Sequence, residues 1–128
     1  MRALAFQIGS EVSYNELSQL LGIDKKTVAT YIDLLCQAFV IFKLPSFSKN
    51  LRNEIKTNQK IFFYDTGVRN MIIGDLSPMD DRQDKGNLWE NFLIAERLKF
   101  LAYNNSLSKG YFWRTVQQQE IDYVEEGE

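Results

Sequence analysis

With 128 residues, 45% of them apolar and 13% aromatic, the chain can build one ordinary domain or two small modules around a shared core. The single cysteine, Cys36, excludes an internal disulfide, and the absence of histidine excludes His-based triads and His metal sites. No apolar run reaches membrane-spanning length; with no signal-like start either, a reducing, cytoplasmic setting is expected. The net charge of −2 hides an asymmetry: residues 1–60 carry eight Lys/Arg against five Asp/Glu, and residues 61–128 carry seven against twelve. A weakly basic front half suits a polyanion partner.

Residues 1–8 are short and apolar, with Leu4, Ala5, Phe6 and Ile8 fitting a packing helix that Gly9 and Ser10 close. Ser13 and Glu16 have the spacing of a capping box. Leu17, Leu20 and Leu21 form one apolar face, and Gly22 supplies a left-handed stop. Asp24 then opens a second helix in which Val28, Tyr31, Ile32, Leu35 and Phe39 read as a continuous buried stripe. A short helix, a turn with glycine and a longer helix make the helix-turn-helix pattern.

The period changes next. Residues 39–44 and 60–64 are β-branched and aromatic, and the polar stretch 46–59 joins them, so a β-hairpin "wing" is expected after the three helices. Residues 65–67 read as a turn closing the second strand, and 68–73 as a helical turn running into Gly74. The loop 76–86 holds Pro78 and several acids, and a module boundary is placed there. Residues 88–103 form the strongest helix of the second half, with Leu88, Phe92, Ala95 and Ala102 on its expected inner side. The polar residues 104–110 read as a loop. Two alternating strands, 111–116 and 120–124, are expected to pair antiparallel and to end in an acidic tail, as though further strands should follow.

Three sets of residues could carry function. Lys25, Lys26, Thr27 and Thr30 open the second helix-turn-helix helix, where amides and helix dipole favour phosphate and the threonines could meet base edges. A solvated helix face reads the same way, and with no Arg or Asn there, contact with DNA would be mostly nonspecific. From Lys43 to Lys60 inclusive, the wing carries Lys43, Lys49, Arg52, Lys56 and Lys60 against one acid, Glu54, a net of +4 that could track a phosphate backbone or merely solvate a loop. Glu90 on the long helix and Asp122 in mid-strand could share a divalent cation, or could be surface charge and partners of residues such as Arg114. If exposed, Phe42, Phe47, Phe62 and Tyr64 would instead supply hot spots for a protein partner.

These residues occur together in a known order. Residues 11–17, the helix from Thr27 to Phe39, residues 47–52, residues 60–67 with Arg69 and Asn70, the run Trp89, Glu90, Asn91, Phe92, and residues 111–115 with Glu120 and Asp122 resemble the C-terminal region of prokaryotic AAA+ superfamily ATPases. That region is usually catalogued as a domain of unknown function. The resemblance implies an α+β fold: a winged helix-turn-helix module, 1–74, followed by a truncated restriction-endonuclease-like α/β segment, 75–128, similar to PD-(D/E)xK nucleases. Glu90 and Asp122 match the pattern's catalytic and metal-binding acids, but its third strand bearing Glu-x-Lys is not present, nor is a Gly-x-x-x-x-Gly-Lys-Ser/Thr loop. Catalysis by these 128 residues alone is therefore not expected. ATP and Mg belong to the full-length protein by resemblance. The expected partners are DNA, the protein's own ATPase module and a second copy, with no membrane.

Overall fold

The computed structural model describes residues 1–47, 59–114 and 120–127. Helix α1 (Arg2–Phe6) buries Leu4 and Ala5 and precedes the two-residue strand β1 (Glu11–Val12). In α2 (Tyr14–Leu21) the Glu16 N–H donates to the Ser13 hydroxyl at 3.3 Å, and Gly22 ends the helix at φ 68°. In α3 (Lys25–Gln37) the Thr27 N–H donates to the Asp24 carboxylate at 2.6 Å. The local signals therefore place both helix starts and the stop between them.

Strands β2 (Ile41–Leu44) and β3 (Gln59–Phe63) pair antiparallel, Ile41 opposite Phe63 and Leu44 opposite Lys60. On the other edge of β3 lies β1, with Glu11 opposite Lys60, so the sheet order is β1-β3-β2. Helix α4 (Thr66–Ile73) follows, capped by the Asp65 carboxylate on the Gly67 and Val68 N–H groups and ended by Gly74 at φ 77°. What reads in the sequence as a turn at 65–67 is the start of this helix, because Asp65 is its N-cap.

A 3-10 turn (Met79–Asp81) leads into α5 (Lys85–Tyr103), the longest helix. Strands β4 (Lys109–Arg114) and β5 (Glu120–Glu126) form the second antiparallel pair, so β4 begins within the stretch expected as loop. The Phe47 N–H donates to the Phe112 carbonyl and the Phe112 N–H to the Pro45 carbonyl, tying β4 to the end of β2.

Period-2 alternation sends the side chains of β2 and β3 into two different cores. Ile41, Ile61 and Phe63 join Leu4, Ala5, Ile8, Val12, Leu17, Val28, Ile32 and Leu88 on one face. Phe42, Leu44 and Phe62 face the other way and meet Ile94, Ala95 and Phe112. The hairpin is thus a central layer with apolar packing on both sides. Each fully buried aromatic there contributes on the order of 2 kcal/mol of burial. The described residues form a mixed α+β fold with two small antiparallel sheets.

Several expected burial patterns are revised. Tyr31 (58% exposed) and Phe39 (75%) leave the α3 stripe, which reduces to Val28 and Ile32 with Leu35 half-buried. The helix stops at its Ala38 cap, and Phe39 takes a left-handed φ of 57° that turns its ring outward. Leu20 and Leu21 are likewise exposed. On α5 the inner residues are Leu88, Asn91, Ile94, Ala95 and Leu101, while Phe92 and Ala102 face outward. Apolar residues surround that helix, so spacing alone does not select the inner side. Phe42 and Phe62 are core residues and Phe47 and Tyr64 are half-buried, so none is an exposed hot spot.

Candidate functional site

The first candidate surface is the opening of α3. Lys25, Lys26, Thr27 and Thr30 are all exposed there, while Val28 and Ile32 are buried. The Asp24 cap, needed to satisfy the first-turn amides, fixes this presentation. Thr30 is partly engaged: its hydroxyl donates to the Lys26 carbonyl at 3.0 Å. Leu20, Leu21, Ile23, Tyr31 and Leu34 are exposed on the same two helices and their turn. A cavity of about 190 Å³ opens among Leu17, Leu21, Ile23, Val28, Tyr31 and Leu35.

The hairpin differs from the expected basic wing. Lys43 pairs with Asp33 of α3 at 2.7 Å, and Lys60 is 2% exposed and points into the second core. The two cations that bracket the loop therefore do not belong to an outward basic surface. Their strand positions decide this, since both lie within the paired part of the sheet. Lys49, Arg52 and Lys56 lie outside the described residues.

The third set does come together. Glu90, on the first turns of α5, and Asp122, on β5, line one cavity of about 340 Å³ with Leu93, Ile94, Arg97 and Tyr123. Asp122 is exposed, so it is not a costly buried strand acid. Glu90 Oε1 is 3.9 Å from Lys60 Nζ and accepts no hydrogen bond. Lys60 also pairs with Glu120 and lies over the Phe112 ring, 4.9 Å from its centroid. Burial pushes the Glu90 carboxyl above its ordinary value; Lys60 opposes this, and Asp122 and Glu120 reinforce it. Gly9, at φ 77°, leaves room on the other side, where a Cβ would stand 3.5 Å from Glu90 Oε2.

Among the described residues no three His, Cys, Asp or Glu side chains converge on one point, and the buried oxygen of Glu90 faces an ammonium.

Two further groups escaped sequence reading. Asn91, fully buried, donates to the Phe63 carbonyl at 2.6 Å and accepts from the Phe63 N–H at 3.0 Å. Buried Arg69 and Arg82 converge on Asp84, at 2.5 Å and 2.8 Å. Arg69 also donates to the Ala5 carbonyl and Arg82 to the Asp75 carbonyl, which fixes α1, α4 and the start of α5 together. A cation directly before the β-forming run 61–64, as Lys60 is, was the available signal for its burial.

Residues 1–78, which contain α1 to α4 and the first sheet, match the family described as "Domain of unknown function (DUF8612)". The chain belongs to the DUF8612 family. Residues 85–128 match a second family, "Domain of unknown function (DUF4143)". Lys60 thus lies in the DUF8612 region, while its partners Glu90 and Glu120 lie in the DUF4143 match. The Asn91 clamp on Phe63 likewise crosses from one match to the other. The chain is similar to an uncharacterized protein of Mycobacterium tuberculosis, 33% identical over 125 residues that make up 95% of this chain and 27% of that protein. A Mycobacterium bovis protein has the same identity and coverage, and one of Haemophilus influenzae is 27% identical over 126 residues, 94% of this chain and 28% of its own length. The DUF8612 chain therefore spans about a quarter of the length of these curated relatives. No solved structure matches. Among the described residues, no helix is long and apolar enough to cross a membrane.

Proposed function

We propose that this chain is a DNA-associated accessory region of an AAA+ superfamily ATPase, holding duplex DNA mostly through its phosphates. The observation that carries the reading is the exposed first turn of α3, where Lys25 and Lys26 flank the amide end of a well-capped helix. The order α1-β1-α2-α3-β2-β3, with β3 between β1 and β2, supports a winged helix in which α3 is the helix presented to DNA. The DUF4143 match supports the ATPase context, since that domain is commonly associated with AAA ATPases. ATP and Mg would then serve the ATPase module, with no catalytic step in this chain. Titration of a labelled duplex at roughly 50 and 200 mM salt tests the proposal. Binding that weakens steeply with salt is the expected result; no binding at the lower salt, or binding indifferent to salt, refutes it.

A second reading is a protein-interaction platform docking the ATPase module or a second copy. The exposed Leu20, Leu21, Ile23, Tyr31 and Leu34 favour it, because apolar side chains so grouped are a poor surface for phosphate. Sedimentation of the chain before and after Leu21→Glu separates the two: a dimer that Leu21→Glu dissolves favours docking, and a monomer in both cases leaves no self-association to explain.

A further inference from the structure

We propose that Lys60 is the resident cation between Glu90 and Glu120, and that its ammonium keeps divalent metal away from that carboxylate pair. Its side chain is 2% exposed and rises from β3, the middle strand of the first sheet. From there Nζ pairs with Glu120, lies 3.9 Å from Glu90 Oε1 and rests against the face of Phe112. A buried ammonium needs opposite charge close by, and these two carboxylates supply it from α5 and β5.

A divalent ion bound by the same carboxylates would stand roughly 2.0–2.6 Å from their oxygens. That position is hard against Nζ, and two cations there would repel each other. Lysine is also a compact point charge, so it occupies about the space a metal would. Swinging Lys60 aside would strand its charge in the apolar second core beside Phe62, Phe112 and Ile94. The inference is independent of DNA binding, since a side chain this buried cannot reach a phosphate backbone.

Isothermal titration of the full chain with Mn²⁺ provides the test. The wild type is expected to show no saturable binding at millimolar metal. Lys60→Met, which keeps the stem and removes the charge, is expected to bind Mn²⁺ at least about tenfold more tightly, and Lys60→Met with Glu90→Gln to lose that gain. A folded Lys60→Met protein that binds no better than wild type overturns the proposal. So does saturable Mn²⁺ binding by the wild type that Glu90→Gln abolishes. If Lys60→Met does not fold, Lys60→Gln takes its place and is read against the same outcomes.

Discussion

Asn91 holds both backbone groups of Phe63, receiving its N–H at 3.0 Å and donating to its carbonyl at 2.6 Å. Among the described residues, strand β1 pairs with Gln59 and Lys60 of β3, and further along that edge the amide of Asn91 serves as a one-residue strand. Because both sites are buried, removing the amide leaves a donor and an acceptor without partners. Asn91→Ala is expected to lose about 1–3 kcal/mol for each group left unpaired. Urea unfolding measures this, and a loss no larger than that of an exposed control such as Asn104→Ala would show that the clamp is dispensable.

The two buried guanidiniums around Asp84 make that residue a costly acid to remove. Truncating one partner of a buried ion cluster costs about 3–5 kcal/mol, so Asp84→Ala is expected to be severely destabilised. Hydrogen bonds from Arg82, and then from Arg69, hold the Asp84 carboxyl far below the ordinary value of 3.8. A group depressed in the folded state contributes stability that is present above the unfolded value and lost as pH falls through the folded one. Acid titration of folding should therefore show wild-type stability falling below about pH 4 more steeply than that of Asp84→Asn. Parallel curves would exclude Asp84 as a source of acid sensitivity.

Legibility in the sequence followed the range of the interaction. Ser13, Gly22, Asp24 and Gly74 act within one helical turn of themselves, and all four end or begin helices where their residue types demand. β1 has only two residues and no pattern of its own; its pairing with β3 creates it. Tyr31 and Phe39 have the spacing of a buried stripe, yet α3 meets its neighbours along a narrower line. The apolar ring around α5 hid which side faces inward, and the roles of Asn91 and Lys60 appear only when the sheet and the helix are placed together. Glu90 and Asp122 were found as a pair, but the cation facing Glu90 comes from a strand 30 residues earlier that reads as a wing.

Glu90 should make the protein less stable as pH rises. Burial first, and then the charges of Asp122 and Glu120, raise its carboxyl above the ordinary value of 4.5 despite Lys60. With the folded value raised, the favourable contribution is complete below the unfolded value and is lost as pH climbs through the folded one. Glu90→Gln removes that dependence. Thermal unfolding across a pH series is expected to show the variant gaining on the wild type as pH rises above about 4.5. A difference constant with pH would mean that Glu90 titrates alike in the folded and unfolded chain.

The lysines that open α3 offer the sharpest separation of phosphate contact from general charge. Each lysine that neutralises one phosphate contributes close to one counterion to the salt dependence, whatever the DNA sequence. Lys25→Ala with Lys26→Ala is therefore expected to reduce the slope of log K against log salt by roughly 2, with similar weakening on unrelated duplexes. Lys85 is an exposed lysine at the start of α5, so Lys85→Ala keeps the net-charge change of a single substitution away from α3. Its slope should match the wild type. If Lys85→Ala lowers the slope as much per lysine as the α3 pair does, binding follows overall charge, and α3 has no special place at the duplex.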